Sequence, residues 1–245
     1  MKRRKLIIYP SVLAVWAALY AATCLLPATP IIGTGATFSL SAVLMPLAGI
    51  FFGPWYGAIS VAVGAFIGQL IAPHTAVFGL VSFITPAIGA IGAGLAMQRR
   101  WIWPLVAILV FGLVWYIFPL GRESWFIPSI YLLGILAIAV GWIWGGDWLR
   151  SEKRTRMFAG LFVIAMTGSI VRYSLGNLLV LNMYALPKEV FLVVLPIAPV
   201  ERLLFALGAA IIGVPLMIGL SKVGITVGPK MYERLDVGED RLSSK

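Results

Sequence analysis

Charge is what this sequence has least of. Only 11% of its 245 residues are Asp, Glu, Lys or Arg, against about 25% in soluble globular domains. Apolar residues make up 61%, and mean hydropathy is +0.99. A chain with so few polar atoms does not cover a water-exposed surface, which excludes a cytosolic globular enzyme and a disordered polymer. A single cysteine, Cys24, forms no internal disulfide, so a disulfide-stapled secreted module is excluded and the redox compartment is unread. One histidine, His74, and that one cysteine are too few for a structural zinc site. No G-x-x-x-x-G-K-[ST] occurs: residues 224–230 (Gly-Ile-Thr-Val-Gly-Pro-Lys) lack its spacing and its hydroxyl, so the chain carries no P-loop ATPase. H-E-x-x-H, G-x-S-x-G and paired carboxylates within apolar runs are also missing. The chain is read as a non-enzyme, with no cofactor and no metal.

What the sequence does hold is apolar length. A bilayer core needs about 20 apolar residues per helix. Hydropathy and breakers mark segments near 6–25, 38–52, 54–72, 76–97, 101–119, 129–148, 157–181 and 198–220. The expected fold is all-α: a polytopic transmembrane helix bundle of about eight spans. Segment 38–52 is short and ends at Phe52-Gly53-Pro54, a turn signal. It suits a tilted span, an interfacial segment or the first arm of a helical hairpin. The bundle is expected to occupy 1–222 as one domain, with 223–245 a short solvated tail. The first segment has a basic start and a signal-like apolar run, but further spans follow and it is read as an uncleaved helix.

Loop charge orients the bundle. Alternating crossings put Lys2, Arg3, Arg4, Lys5, Arg99, Arg100, Arg150, Lys153, Arg154, Arg156, Lys222, Lys230, Arg234, Arg241 and Lys245 on one side, fifteen of the nineteen basic residues. Basic loops stay cytoplasmic, so both termini are expected inside a cell membrane crossed several times. The net charge of +10 thus encodes topology, not affinity for nucleic acid. Trp101, Trp103, Trp115, Trp142, Trp144 and Trp148 fall near segment ends, where interfacial aromatics belong.

Polar residues inside spans are few and gather on the outer side. Charged side chains there cost roughly 2.5–3.5 kcal/mol on insertion scales, which makes each a site candidate. Arg172 lies in the seventh segment with Tyr173 and Asn177, then Asn182 and Tyr184 at its end. Glu201 and Arg202 stand about one turn into the eighth; Gln69 and His74 close the third. Thr34, Thr37, Ser39 and Ser41 occupy the first outer loop and the start of the second segment, as pocket lining or helix caps. A structural reading stands beside the binding one: Glu201 pairing with Arg172 between two helices, Arg202 snorkelling to headgroups, and His74 serving only as a loop residue. On the first helix Ala14, Ala18 and Ala22 share one face, widened by Ala17 and Ala21; Ala58-x-x-x-Ala62, Gly64-x-x-x-Gly68 and Ala90-x-x-x-Gly94 repeat the device. Small faces let helix backbones approach in lipid, within the chain or against a partner.

Four features together resemble the substrate-binding S components of energy-coupling factor (ECF) transporters. They are the Ala14/Ala18/Ala22 face, the Gly-containing outer loop 31–36, the hairpin 46–58 running on to Gly64–Gly68, and the last span from Pro199 through Pro215 to Lys222. Family members usually have six helices, so 101–148 would be an inserted pair. The resemblance implies capture of a small vitamin-like molecule from outside, in a pocket drawing on Thr34, Thr37, Gln69, His74 and the outer parts of the last two spans. It also implies docking through Ala14, Ala18 and Ala22 onto a transmembrane coupling subunit driven by two cytoplasmic ATPases. The N-terminal His motif of metal-binding relatives is absent, which argues against a nickel or cobalt substrate. Alternatives are an accessory subunit of a larger membrane complex, with the polar residues paired internally, or a stand-alone permease.

Overall fold

A computed structural model describes residues 10–151, 153–222 and 228. The basic N-terminal run and nearly all of the 223–245 tail lie outside the described residues, so what is expected of them has no structural counterpart here. The helices are α1 (Pro10–Cys24), α2 (Ser41–Ile71), α3 (Ile84–Met97), α4 (Ile102–Trp115), α5 (Pro119–Glu123), α6 (Leu132–Val140), α7 (Gly146–Arg150), α8 (Arg154–Met183) and α9 (Lys188–Lys222). The all-α expectation holds with one addition. Pro27–Pro30 (β1) and Thr37–Ser39 (β2) pair antiparallel in the loop after α1.

Among the described residues, five helical stretches are long and apolar enough to cross a membrane: Pro54–Ile71, Gly79–Met97, Ile127–Gly145, α8 and α9. Three shorter apolar helices, Pro10–Cys24, Ser41–Phe52 and Ile102–Trp115, complete the set. The architecture is that of a helical membrane protein. In hydrocarbon every backbone N–H and C=O must find a partner within the fold, which a helix bundle achieves.

The short second segment is the first arm of a hairpin. Gly53 sits at φ 85°, ψ 173° inside α2, a region that residues with a Cβ avoid, and Pro54 restarts the helix with its φ already set. The arms lie so close that a Cβ on Gly57 would fall 2.5 Å from the Ala48 carbonyl oxygen. The same economy builds the neighbours. Gly64 and Gly68 receive Ala17 and Cys24 of α1, while Gly94 lies against Pro54.

Such contacts give the direction of each helix. Residues 60, 64 and 68 meet 13, 17 and 24, so the second arm runs parallel to α1. Gly89 and Gly94 meet Met45 and Pro54, so α3 runs with the first arm. Gly168 packs on Gly89 and Ala93, and Gly208 and Gly213 meet Val43 and Leu47, which sends α8 up and α9 down. The pair 101–148 folds as its own antiparallel unit: Gly112 faces Tyr131, and Gly141 and Gly145 take the Trp101 ring. Residues 141–145 form a π-turn at that wedge, a common device where a helix absorbs an extra residue. This unit packs on the flank of α8 through Gly134 and Ile170.

One boundary differs in a way that matters. α9 begins at Lys188, ten residues before the expected start, and carries Pro196 and Pro199 in its interior. Prolines that would break a helix in water are tolerated in membrane helices, where neighbours re-satisfy the freed carbonyls. Glu201 and Arg202 are therefore not one turn into the span. They lie nearly four turns in, about 20 Å along the axis at 1.5 Å per residue.

Candidate functional site

One end of the bundle holds a cavity of about 130 Å³. Its walls come from the end of α1, loop 30–41, the end of α2, segment 75–86, the C-terminal third of α8 and the first half of α9. Among the described residues, none of 101–148 lines it. The pair 101–148 touches the site from behind, where Asn177 Nδ2 donates to the Tyr131 hydroxyl at 3.2 Å and Tyr131 packs edge-on against Tyr173.

Of the candidates named from sequence, Thr34, Thr37, Gln69, Arg172, Tyr173, Asn177, Glu201 and Arg202 all line this cavity. His74, Asn182 and Tyr184 do not. His74 belongs to the 3₁₀ turn Pro73–Thr75, whose Thr75 faces the cavity instead. Asn182 is exposed and donates back to the Leu178 carbonyl at 2.9 Å. Tyr184 hydrogen-bonds through its hydroxyl to the Val77 carbonyl and ties the end of α8 to the adjoining loop. Thr34 lines the cavity with its hydroxyl already engaged: it donates to the Ile31 carbonyl at 2.9 Å and accepts from Ala36 N–H at 3.2 Å. It shapes the loop.

Two expected ion contacts are corrected. Glu201 does not pair with Arg172; Arg202 Nη2 donates to Glu201 Oε2 at 3.0 Å. Nor does Arg202 snorkel, since only 1% of it is exposed. Neighbours on a helix point about 100° apart, yet both long side chains curl into the same cavity wall. They do so because Arg202 is drawn over aromatic rings, with its guanidinium carbon 4.5 Å from the Phe38 centroid, 4.9 Å from Tyr173 and 5.5 Å from Phe205. Each such contact contributes about 0.5–2 kcal/mol. Arg172 approaches the same Phe38 ring at 5.3 Å. Among the described residues it has no carboxylate within ion-pair distance.

Several residues of the cavity wall carry a buried polar atom without a partner: Gln69 Oε1, Tyr173 Oη, Thr37 Oγ1 and Arg202 Nε. Buried polar groups are ordinarily hydrogen-bonded, and each exception calls for a reason. The spare valences gather where the cavity is.

Sequence reasoning missed Tyr20 and Cys24 of α1, Phe38 of β2, Ser82 just ahead of α3 and Thr85 in its first turn. Tyr20 and Cys24 are four apart on the buried face of α1; that spacing was legible and was overlooked beside the alanines. Phe38 had no signal, because a Phe at the start of the apolar segment 38–52 is indistinguishable from ordinary span residues. Ser39 and Ser41 share a hydrogen bond of 2.6 Å between their hydroxyls at the cavity wall. On α1, Ala14, Ala18 and Ala22 are exposed while Ala17, Tyr20, Ala21 and Cys24 are buried against the hairpin. The two halves of the alanine strip thus do different things.

The chain is similar to an uncharacterized protein of Methanocaldococcus jannaschii, MJ0923, at 27% identity over 197 residues. That match takes in 80% of this chain and 65% of the relative, so the chain spans less than two thirds of the relative's length. No family model and no solved structure matches.

Proposed function

We propose that this protein is the membrane-embedded substrate-binding subunit of an ECF-type importer, capturing a small vitamin-like molecule in the cavity between α1, α2, α3, α8 and α9. The observation that carries the reading is the cavity itself, enclosed at one end of the bundle with two arginines in its wall. Loop charge supports its orientation. Arg99 and Arg100 follow α3, Lys153 to Arg156 open α8 and Lys222 closes α9, all at the end away from the cavity. By the positive-inside rule that end is cytoplasmic, the cavity faces outward, and eight helical segments return both termini to the cytoplasm.

Counting the α2 hairpin as two segments, six segments surround the site and 101–148 stands apart, which is consistent with a six-helix S component carrying an inserted pair. With no P-loop of its own, the chain would draw energy from a transmembrane coupling subunit and two cytoplasmic ATPases. The outward alanines Ala14, Ala18 and Ala22 are the proposed contact with that subunit.

The test is a mild-detergent pull-down of the tagged chain from native membranes, with mass spectrometry of what is retained. Two ATPases and a coupling subunit are expected. A membrane enzyme complex in their place would overturn the importer reading and make the chain an accessory subunit; recovery of the chain alone would favour a permease.

A further inference from the structure

We infer that the cavity selects a small monocarboxylate that also bears an N–H or O–H donor, bound between Arg172 and Gln69; this rests on the substrate-binding reading above. The charge balance carries the first half. Glu201 is taken by Arg202 at 3.0 Å, so that pair presents no net charge to a ligand. Arg172 remains: it is half-buried, lines the cavity, and among the described residues meets no carboxylate. One uncompensated guanidinium in a low-dielectric wall is matched by one negative charge. A carboxylate fits its forked donors bidentately. A dianion would leave one charge unpaired among walls that are mainly apolar, and a cation would meet repulsion.

The second half follows from Gln69. It is only 5% exposed and lies on α2, a different wall from Arg172 on α8. Its nitrogen is oriented by chemistry: the neighbouring group is the Leu80 carbonyl, an acceptor, so the amide N–H must face it, at 3.0 Å. That leaves Oε1 buried and without a partner, on a side chain that belongs to the cavity wall. A buried carbonyl oxygen accepts and never donates, so only a ligand N–H or O–H satisfies it. The lining also carries Phe38, Phe78 and Tyr173, surfaces suited to a flat or aliphatic body. A cavity of about 130 Å³ suits a small molecule.

The experiment uses the full chain in detergent, immobilised and exposed to a small-molecule extract of growing cells. The extract is supplemented with matched series of monocarboxylates, their methyl esters, N- and O-methylated analogues, phosphate monoesters and amines. Retained compounds are identified by mass spectrometry for wild type, Arg172→Gln, Arg172→Lys and Gln69→Met, each checked for unchanged thermal unfolding. Wild type is expected to retain monocarboxylates with a free donor over their esters and methylated analogues. Arg172→Gln is expected to lose this retention about ten- to hundredfold, the worth of a charge-assisted bond, while Arg172→Lys keeps the preference for anions. Gln69→Met is expected to lose about three- to tenfold and to stop discriminating against the methylated analogues. Retention of amines, phosphate monoesters or neutral compounds instead, or of acids indifferent to Arg172→Gln, would overturn the assignment and leave the binding site standing. Retention of nothing at all would overturn the binding site too.

Discussion

The buried pair Glu201–Arg202 makes the sharpest stability prediction. Arg202 is 1% exposed and Glu201 8%, and the two meet at 3.0 Å with no other carboxylate in reach among the described residues. Glu201→Gln keeps shape and an acceptor oxygen but removes the negative charge. A buried charge stripped of its partner destabilises by about 3–5 kcal/mol. The Phe38, Tyr173 and Phe205 rings at 4.5–5.5 Å and the retained amide oxygen offset part of this, so the low end, about 3 kcal/mol, is expected. For a chain of this size that corresponds to a fall in Tm of roughly 6–12 °C, at about 2–4 °C per kcal/mol. Thermal unfolding of the purified protein in detergent, read by loss of the monodisperse peak, measures it. The double variant Glu201→Gln/Arg202→Met removes the orphaned charge along with its partner and is expected to recover most of the loss, since apolar replacement of a whole buried pair is often neutral. A single variant within 2 °C of wild type, roughly 1 kcal/mol or less, would refute the reasoning. So would a double variant no better than the single.

Three further outcomes are expected. Gly94→Val places its Cβ about 2.5 Å from Pro54 backbone atoms, so the hairpin and α3 must separate; a stability loss of about 1–3 kcal/mol or more is expected as reduced yield and Tm, and normal values would mean that this contact is loose. Ala18→Leu enlarges an exposed position of α1 and, on the proposed importer reading, is expected to weaken assembly with a coupling subunit, seen as less co-purified ATPase at unchanged small-molecule retention; unchanged assembly would remove the docking role. In a Cys24→Ala background, a cysteine at exposed Glu123 is expected to react with an impermeant maleimide on intact cells and one at Ser151 only after permeabilisation, and the reverse pattern would invert the topology.

Much of the site was legible because membrane sequences make polarity scarce. In a chain with 11% charged residues, Arg172, Glu201 and Arg202 stand out, and insertion cost alone marks them as functional or paired. Tyr173 and Asn177 follow from helical spacing beside Arg172, and Gln69 from its place at the end of an apolar run. His74, Asn182 and Tyr184 sit in the same stretches yet miss the cavity, because linear proximity to a helix end does not say which way a side chain turns. Phe38 was invisible for the converse reason. It reaches both guanidiniums only because β1 and β2 pair and carry the loop back over the bundle.

Residue composition was enough to decide the apolar solvent and the helical class. Hydropathy, glycine-proline turns and the clustering of lysine and arginine act locally, through transfer free energies that depend on residue type and not on neighbours far along the chain. Partner choice among the few charges was decided only in the tertiary structure. Glu201 meets Arg202 and leaves Arg172 open because α9 runs through Pro196 and Pro199 and buries both residues about 20 Å from its start. Ion pairing in a low dielectric is settled by separations of a few ångströms, and those exist only once the helices have packed.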